Sequence, residues 1–192
     1  MKKNKTGLFI LGGVLVVILA IGGYFVSTYN SLASAENNVD AKWSQVENVM
    51  QRRADLIPNL VNSVQGSMDQ EKEVFKQITE ARKEYNGAGT PQEKVNANAK
   101  IDQSLGTMIN VIQESYPQLA SNENVKTLMV QLEGTENRIS VERKNYIDEV
   151  QKYNQNLVRF PKNIVARTMG FEKKVNFKAD DKAKEVPDVS FK

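Results

Sequence analysis

The sequence predicts an all-α protein in which a single N-terminal transmembrane helix is followed by a long antiparallel bundle of three or four helices. One observation behind this fold class is an uncharged apolar stretch near the N-terminus. The other is that apolar residues recur in alternating steps of four and three, a pattern typical of long helices packed side by side. We therefore expect a cytoplasmic N-terminus (residues 1–6), a transmembrane helix (7–26), the bundle (27–170) and an extended or flexible C-terminal tail (171–192).

The predicted transmembrane helix is a stretch of twenty residues, 7–26, without a charge. As a helix it would extend roughly 30 Å, which is enough to cross the hydrocarbon core of a bilayer. Lys2, Lys3 and Lys5 precede it, and the next basic residue is Lys42. The positive-inside rule then places the N-terminus in the cytoplasm and the bundle on the other side.

A cleaved signal peptide is the alternative interpretation of this stretch, because residues 33–35 offer an A-x-A pattern. The apolar region of a secretory signal usually has about 7–15 residues. The stretch observed here is longer and ends well before the A-x-A pattern, which favours a permanent anchor.

The first apolar seam follows the span and extends from Val39 to Val64. Seven of its eight positions are apolar, and the exception is Arg53. The seam and its continuation predict one nearly continuous helix over residues 27–85. Asn86 and the glycines after it would end this helix.

Pro58 lies inside that predicted helix. Proline removes one helical hydrogen bond and clashes with the carbonyl of Ala54, so we expect a kink. The kink would bend the helix so that its second half packs against a third helix. A hinge or a notch for a partner at the exposed Ala54 carbonyl is the functional alternative.

Capping signals predict two further long helices. Thr90 begins the first of them, since a proline follows it directly and Glu93 stands three residues on. This helix would end before Pro117, because the residue before a proline is pushed out of helical geometry. Ser121 or Asn122 would cap the next helix, whose seam over residues 125–160 is apolar or aromatic at nine of eleven positions.

Beyond this helix, residues 161–167 would form one or two more turns that end near Gly170. Residues 178–192 are mostly charged or small, a composition typical of a flexible tail. The alternative is that residues 186–191 form an extended segment that pairs with a strand edge or a groove on a partner.

Glu136 and Arg143 are the two charged residues on the second seam, as Arg53 is on the first. A buried charge without a partner costs several kcal/mol, so we expect Arg53 and Glu136 to face each other or to share Arg143. Such a pair would fix the alignment of the two helices. Glu136→Ala is then expected to destabilise the fold by about 3–5 kcal/mol, the usual loss when one buried partner is removed. The functional alternative is acid–base chemistry by Glu136 or Asp55.

The composition excludes several classes of site. The chain has no cysteine and no histidine, which excludes disulfides, Cys/His metal sites and Ser-His-Asp triads. The net charge of +3 comes from the three lysines before the span, because the remaining 23 basic residues equal the 23 acidic ones. A neutral domain lacks the basic footprint of a nucleic-acid-binding protein. We expect no nucleic-acid partner and no cofactor.

Several motifs together resemble the LemA family of bacterial envelope proteins. The most specific are RRADLIPNLV at residues 52–61 and TENRI at residues 135–139. Further similarity lies at Tyr29-Asn30, Trp43-Ser44-Gln45-Val46, Ala81-Arg82, Tyr116-Pro117, Asn122-Glu123-Asn124, Tyr146, Tyr153-Asn154, Phe160-Pro161, Asn163-Ile164 and Gly170-Phe171. The similarity covers about residues 2–177. The resemblance implies a single-pass protein of the bacterial inner membrane, with a helical bundle and no catalytic residue set.

These observations together predict a non-catalytic scaffold or adaptor that presents a helical rod to a partner envelope protein. Arg53, Pro58, Glu136 and Arg143 are the candidate structural or interaction residues. One alternative is a homo-oligomer that shapes or organises the membrane. The other is a carboxylate-based hydrolase, which would need a cleft lined by paired carboxylates with raised pKa values. The sequence places its acidic residues mostly on solvated helix faces.

Overall fold

The computed structural model describes residues 3–175, with side chains from residue 7 onward. All regular secondary structure in these residues is helical, which confirms the predicted all-α fold class. The six helices are α1 (Lys3–Val64), α2 (Lys72–Gly87), α3 (Pro91–Ser115), α4 (Pro117–Ala120), α5 (Glu123–Val158) and α6 (Lys162–Thr168). Both expectations for the tail beyond residue 175 lie outside the described residues.

The described chain divides into two compact units, and α1 and α5 each contribute to both. Unit 1 comprises residues 3–41 and 148–175, and unit 2 comprises residues 42–147. The apolar residues 7–26 lie in the first part of α1, in unit 1. Of the described helices, α1 alone is long and apolar enough to cross a membrane, and the side chains of its apolar stretch are exposed. Exposure of so many apolar side chains is unfavourable in water, so it fits a membrane location.

Beyond the span, unit 1 packs α1 against α5 and α6, and its core is apolar and aromatic. The buried apolar and aromatic residues are Leu32, Val39, Val150, Tyr153, Leu157, Val165 and Ala166, and Thr28 is buried with them. The side-chain amide of Asn154 binds the backbone of Lys174 twice: it donates to the carbonyl (2.8 Å) and accepts from the amide (3.0 Å). Lys174 Nζ in turn lies 3.0 Å from Glu36 Oε1 and 3.4 Å from Asp40 Oδ1. We call these contacts the Lys174 clasp.

In unit 2, α1 and α5 are antiparallel. The Trp43 ring centroid lies 5.8 Å from that of Tyr146. Arg53, ten residues after Trp43 in α1, contacts Glu136, ten residues before Tyr146 in α5. The first seam is buried as predicted, apart from Trp43, which is half-buried. The charged exception Arg53 is buried with it.

α2 folds back along α1 instead of continuing it, so the predicted continuous helix over residues 27–85 is wrong. α1 ends at Val64, and a turn that contains Gly66 leads into α2. Glycine is a poor helix former, and the reversal buries Met68 in the turn. It also brings the Tyr85 hydroxyl to 3.4 Å from the carbonyl of Glu47.

The starts of α3 and α5 are confirmed by their caps. The backbone N–H of Glu93 donates to Thr90 Oγ1 (3.3 Å), and Glu93 Oε2 accepts from the N–H of Thr90 (3.0 Å). At α5, Asn122 Oδ1 accepts from the N–H of Asn124 (3.0 Å). The predicted end of α5 is too late, because the helix stops at Val158. Phe160 is exposed rather than part of the seam, since it precedes Pro161 and leaves helical geometry.

Candidate functional site: a polar cluster between three helices

The polar cluster is built around Arg53, which α1 places in the interior of unit 2. One helical turn before it lies Met50 and one turn after it lies Ile57, and both are buried. The helical period therefore directs Arg53 inward, and only 4% of it is exposed. A guanidinium at this depth needs anionic partners, because its desolvation costs several kcal/mol.

Two carboxylates on two other helices supply those partners. Arg53 Nη1 contacts Glu136 Oε2 on α5 and Asp102 Oδ1 on α3. The contact with Glu136 has hydrogen-bond geometry, whereas the one with Asp102 is an ion pair without an aligned N–H. The side chains of Glu136 and Asp102 are 46% and 29% exposed, so the cluster extends from the interior to the surface of the unit. Its effect is to join α1, α3 and α5.

Asp102 has the most perturbed environment of the cluster. Asn98, one turn earlier in α3 and fully buried, donates from Nδ2 to Asp102 Oδ2 (3.2 Å). The pKa of Asp102 is raised from 3.8 to about 6. Burial is the largest cause and the nearby Glu136 adds to the rise, while the charges of Arg53 and Arg143 oppose it. Two acidic groups thus share one guanidinium, and Asp102 holds its proton more tightly than an ordinary aspartic acid does.

Arg143 takes part in the cluster only through its charge. Its Nε and Nη2 atoms are buried and make no hydrogen bond within residues 3–175. The positive charge lowers the pKa of Asp102. Of the two arrangements expected from the sequence, the structure brings Arg53 directly to Glu136.

Pro58 lies inside α1, and the helix continues beyond it to Val64. The carbonyl that Pro58 deprives of its helical donor belongs to Ala54. Arg82 on α2 supplies a replacement, since its Nε donates to this carbonyl at 2.9 Å. The carbonyl is therefore occupied by the fold itself rather than open as a notch for a partner.

The sequence interpretation missed Asn98, Asp102 and Arg82. Asn98 could have been found, because it stands three residues before Ile101 and continues the apolar seam of α3 backwards. Asp102 lies beside that seam and looks like an ordinary surface residue. For Arg82, the only signal was that a carbonyl freed by proline needs a donor.

The arrangement has a limited capacity for chemistry. The paired carboxylates exist, contrary to the expectation that the acidic residues lie on solvated faces, but a guanidinium occupies both of them. Asp55, the other acid–base candidate, is exposed and accepts a hydrogen bond from Gln51 (2.9 Å). Within residues 3–175, no group of three or more acidic residues could hold a metal ion.

A cavity of about 740 Å³ opens elsewhere in unit 2, where α3, α4 and α5 meet. Its lining mixes apolar and charged side chains, among them Ile109, Met129, Val130, Lys126 and Glu133. Neither carboxylate of the polar cluster lines it.

Comparison with known proteins gives related sequences. Magnetosome protein MamQ 1 and magnetosome protein MamQ 2 of Paramagnetospirillum magneticum are each 24% identical over 182 residues, which cover 81% of this chain and 66% of the relative. Magnetosome protein MamQ of Magnetospirillum gryphiswaldense is 23% identical over 188 residues, covering 84% and 68%. The chain thus spans about two thirds of the length of these relatives.

A family model gives the assignment. The model of the LemA family matches residues 42–191, well over half of the chain. The match includes the RRADLIPNLV and TENRI segments, which carry Arg53, Pro58 and Glu136. The polar cluster and the proline in α1 therefore lie within the matched region, and the chain belongs to the LemA family.

Proposed function

We propose that this protein is a non-catalytic scaffold or adaptor of the cell envelope, anchored in the inner membrane by residues 7–26. Its N-terminus would lie in the cytoplasm, and its helical bundle would present a surface to a partner envelope protein on the other side. The observation that carries this proposal is that the interior charged residues connect helices. Arg53, Asp102 and Glu136 join three helices to one another.

A carboxylate-based hydrolase is less well supported by the same cluster. An acid–base pair needs one carboxyl group free to exchange a proton with a substrate in a cleft. Here both carboxyl groups contact Arg53, and neither of them lines the cavity between α3, α4 and α5. The relatives carry the name magnetosome protein, which names no reaction.

In-cell photo-crosslinking tests the adaptor proposal. A photo-reactive amino acid at Val130, an exposed apolar residue beside the cavity, is expected to give a discrete adduct with another envelope protein. The matched control carries the same group at the adjacent exposed residue Gln131, which points to a different side of α5. Mass spectrometry identifies the adduct.

The outcomes separate the candidate functions. An adduct of Val130 with one reproducible envelope protein, absent or weaker at Gln131, supports the adaptor. An adduct of twice the mass of the chain favours the self-assembling alternative. No adduct at either position in native membranes counts against both forms of scaffold.

A further inference from the structure

The surface around α6 exposes large apolar side chains outside the transmembrane span. Phe160 is 80% exposed and Ile164 is 54% exposed, and Met169 is exposed after the last turn. The opposite face of α6 is buried through Val165 and Ala166. α6 is therefore amphipathic, with one face packed in unit 1 and an apolar face open. We call residues 159–173 the α6 surface.

This surface lies beside the end of the predicted span. Gly170, with φ +74°, turns the chain after α6, and the N–H of Phe171 donates back to the carbonyl of Ala166 (3.0 Å). The ring centroid of Phe171 lies 5.7 Å from that of Tyr29 on α1. Tyr29 is three residues past Val26, a rise of about 4.5 Å along the helix. The segment that follows α6 therefore contacts the part of α1 that directly follows the span.

The charge of the α6 surface is strongly positive. It carries four basic residues, Arg159, Lys162, Arg167 and Lys173, and a single acidic residue, Glu172. Lys174 is not counted, because it forms ion pairs with Glu36 and Asp40 in the Lys174 clasp. Within residues 3–175 none of these four cations forms an ion pair with a carboxylate. Exposed apolar side chains with several cations close by in the sequence are typical of segments that lie in the interface of an anionic bilayer.

We propose that the α6 surface is a second membrane contact, in which Phe160, Ile164 and Met169 enter the headgroup region and the four cations bind anionic phospholipid headgroups. The inference rests on the anchoring part of the proposed function and is independent of any protein partner. Interfacial aromatic residues such as Tyr24 and Tyr29 suit the same depth. Together with the span, the contact would give unit 1 two points of attachment to one bilayer.

Site-directed labelling of the full chain tests this directly, because the sequence has no cysteine. Single cysteines replace Ile164, Val141 or Leu15, each carrying an environment-sensitive fluorophore. Separate nanodisc preparations contain a phospholipid that is spin-labelled in the headgroup region, which quenches at interfacial depth and is used for Ile164 and Val141, or in the middle of the acyl chain, which quenches at the depth expected for Leu15. Val141 is the matched control, since it is 57% exposed against 54% for Ile164 and belongs to unit 2. Leu15 reports insertion of the span.

In nanodiscs with about 30% phosphatidylglycerol, we expect the lipid-borne quencher to act at Ile164 roughly threefold more strongly than at Val141. In pure phosphatidylcholine, or when Arg159, Lys162, Arg167 and Lys173 are all replaced by glutamine, quenching at Ile164 should fall by about half or more. Unchanged Trp43 fluorescence shows that the glutamine variant is folded.

Equal, weak quenching at Ile164 and Val141 while Leu15 is quenched would overturn the proposal and leave the anchor intact. Equal quenching at Ile164 in both lipid compositions would overturn the assignment to anionic headgroups. Loss of quenching at Leu15 would refute membrane anchoring itself. The crosslinking result at Val130 does not depend on any of these measurements.

Discussion

Arg53 has two carboxylate partners, and this number decides what a single substitution does. In Glu136→Ala, Asp102 still neutralises the guanidinium, so the expected loss falls to about 1–2 kcal/mol, below the value expected for a sole buried partner. Arg53→Met instead leaves two adjacent carboxylates without their cation and should cost about 3–5 kcal/mol. Urea unfolding followed through Trp43, the only tryptophan, measures both.

Glu133→Ala is the control for this pair of variants, because Glu133 is an exposed glutamate on the same helix. It should change the free energy of unfolding by about 0.5 kcal/mol or less. If Arg53→Met proved as mild as Glu133→Ala, the cluster would not hold the three helices together.

Asp102 makes the stability of unit 2 depend on pH. Its folded pKa of about 6 lies above the ordinary value of 3.8, so the folded state binds the proton more tightly than the unfolded state. The resulting stabilisation is full below pH 3.8 and is lost as the pH rises through 6. Asp102→Asn removes this titration. The stability of the wild type relative to Asp102→Asn should therefore rise on acidification from pH 7 to 4.5.

The slope of this difference is limited to about 1.4 kcal/mol per pH unit, the effect of one proton. Urea midpoints of both proteins at four pH values between 4.5 and 7 measure it. A difference that stays constant, or that falls on acidification, would show that Asp102 is ionised throughout in the folded state.

The contact between Arg82 and the Ala54 carbonyl exists because Pro58 cannot donate to it. Pro58→Ala restores a helical N–H to this carbonyl, which then no longer needs Arg82. Arg82→Met should cost about 1.5–3 kcal/mol in the wild type, as for a hydrogen bond from a charged donor, and clearly less in the Pro58→Ala background. Unfolding of the four proteins of this double-mutant cycle gives the coupling. Equal costs in both backgrounds would mean that Arg82 acts through something other than this carbonyl.

At the scale of the helices, the capping box of α3 is a local device with a measurable contribution. Glu93 accepts from the N–H groups of Gly89 and Thr90, and these hydrogen bonds lower its pKa. Thr90→Ala removes the side chain that accepts from the N–H of Glu93 and should cost about 1 kcal/mol. Thr90→Ser keeps the hydroxyl and should cost much less. Similar midpoints for the alanine and serine variants would exclude a role for the cap.

The same locality explains which helix ends could be predicted. The starts of α3 and α5 depend on side chains within four residues of each helix N-terminus, so the local sequence is sufficient to predict them. The reversal between α1 and α2 does not, because apolar residues such as Met68 and Ile78 recur at the same spacing whether the helix continues or folds back. Contacts between helices, such as those of Arg82 and Tyr85 with α1, distinguish the two.

The polar cluster was predictable to the extent that its members interrupt an apolar seam. Arg53 and Glu136 each stand where a large apolar side chain is expected. A charge at such a position needs an oppositely charged partner, and each of the two can serve the other. Asp102 interrupts nothing, since it lies at the edge of the α3 seam. Its role depends on how closely α3 approaches α1, which a periodic pattern does not contain.

For the molecule as a whole, the arrangement across the membrane gives a further prediction. By the positive-inside rule, the lysines before the span predict that residue 6 lies in the cytoplasm and unit 2 on the other side of the membrane. In spheroplasts, a membrane-impermeant maleimide should therefore label a cysteine at Val141 at once, and one at Thr6 only after permeabilisation. Immediate labelling at Thr6 would reverse the orientation. A mature chain that lacks the Thr6 label even after permeabilisation would indicate cleavage of the span.

The Lys174 clasp has a mechanical consequence. The two hydrogen bonds of Asn154 hold the backbone of Lys174, while its side chain bridges to Glu36 and Asp40 on another helix. A load applied at the C-terminus would act on these bonds before it reached α6 or the end of α5. Optical-tweezer pulling should thus show a higher first rupture force in the wild type than in Asn154→Ala, in which the last residues would peel away one contact at a time.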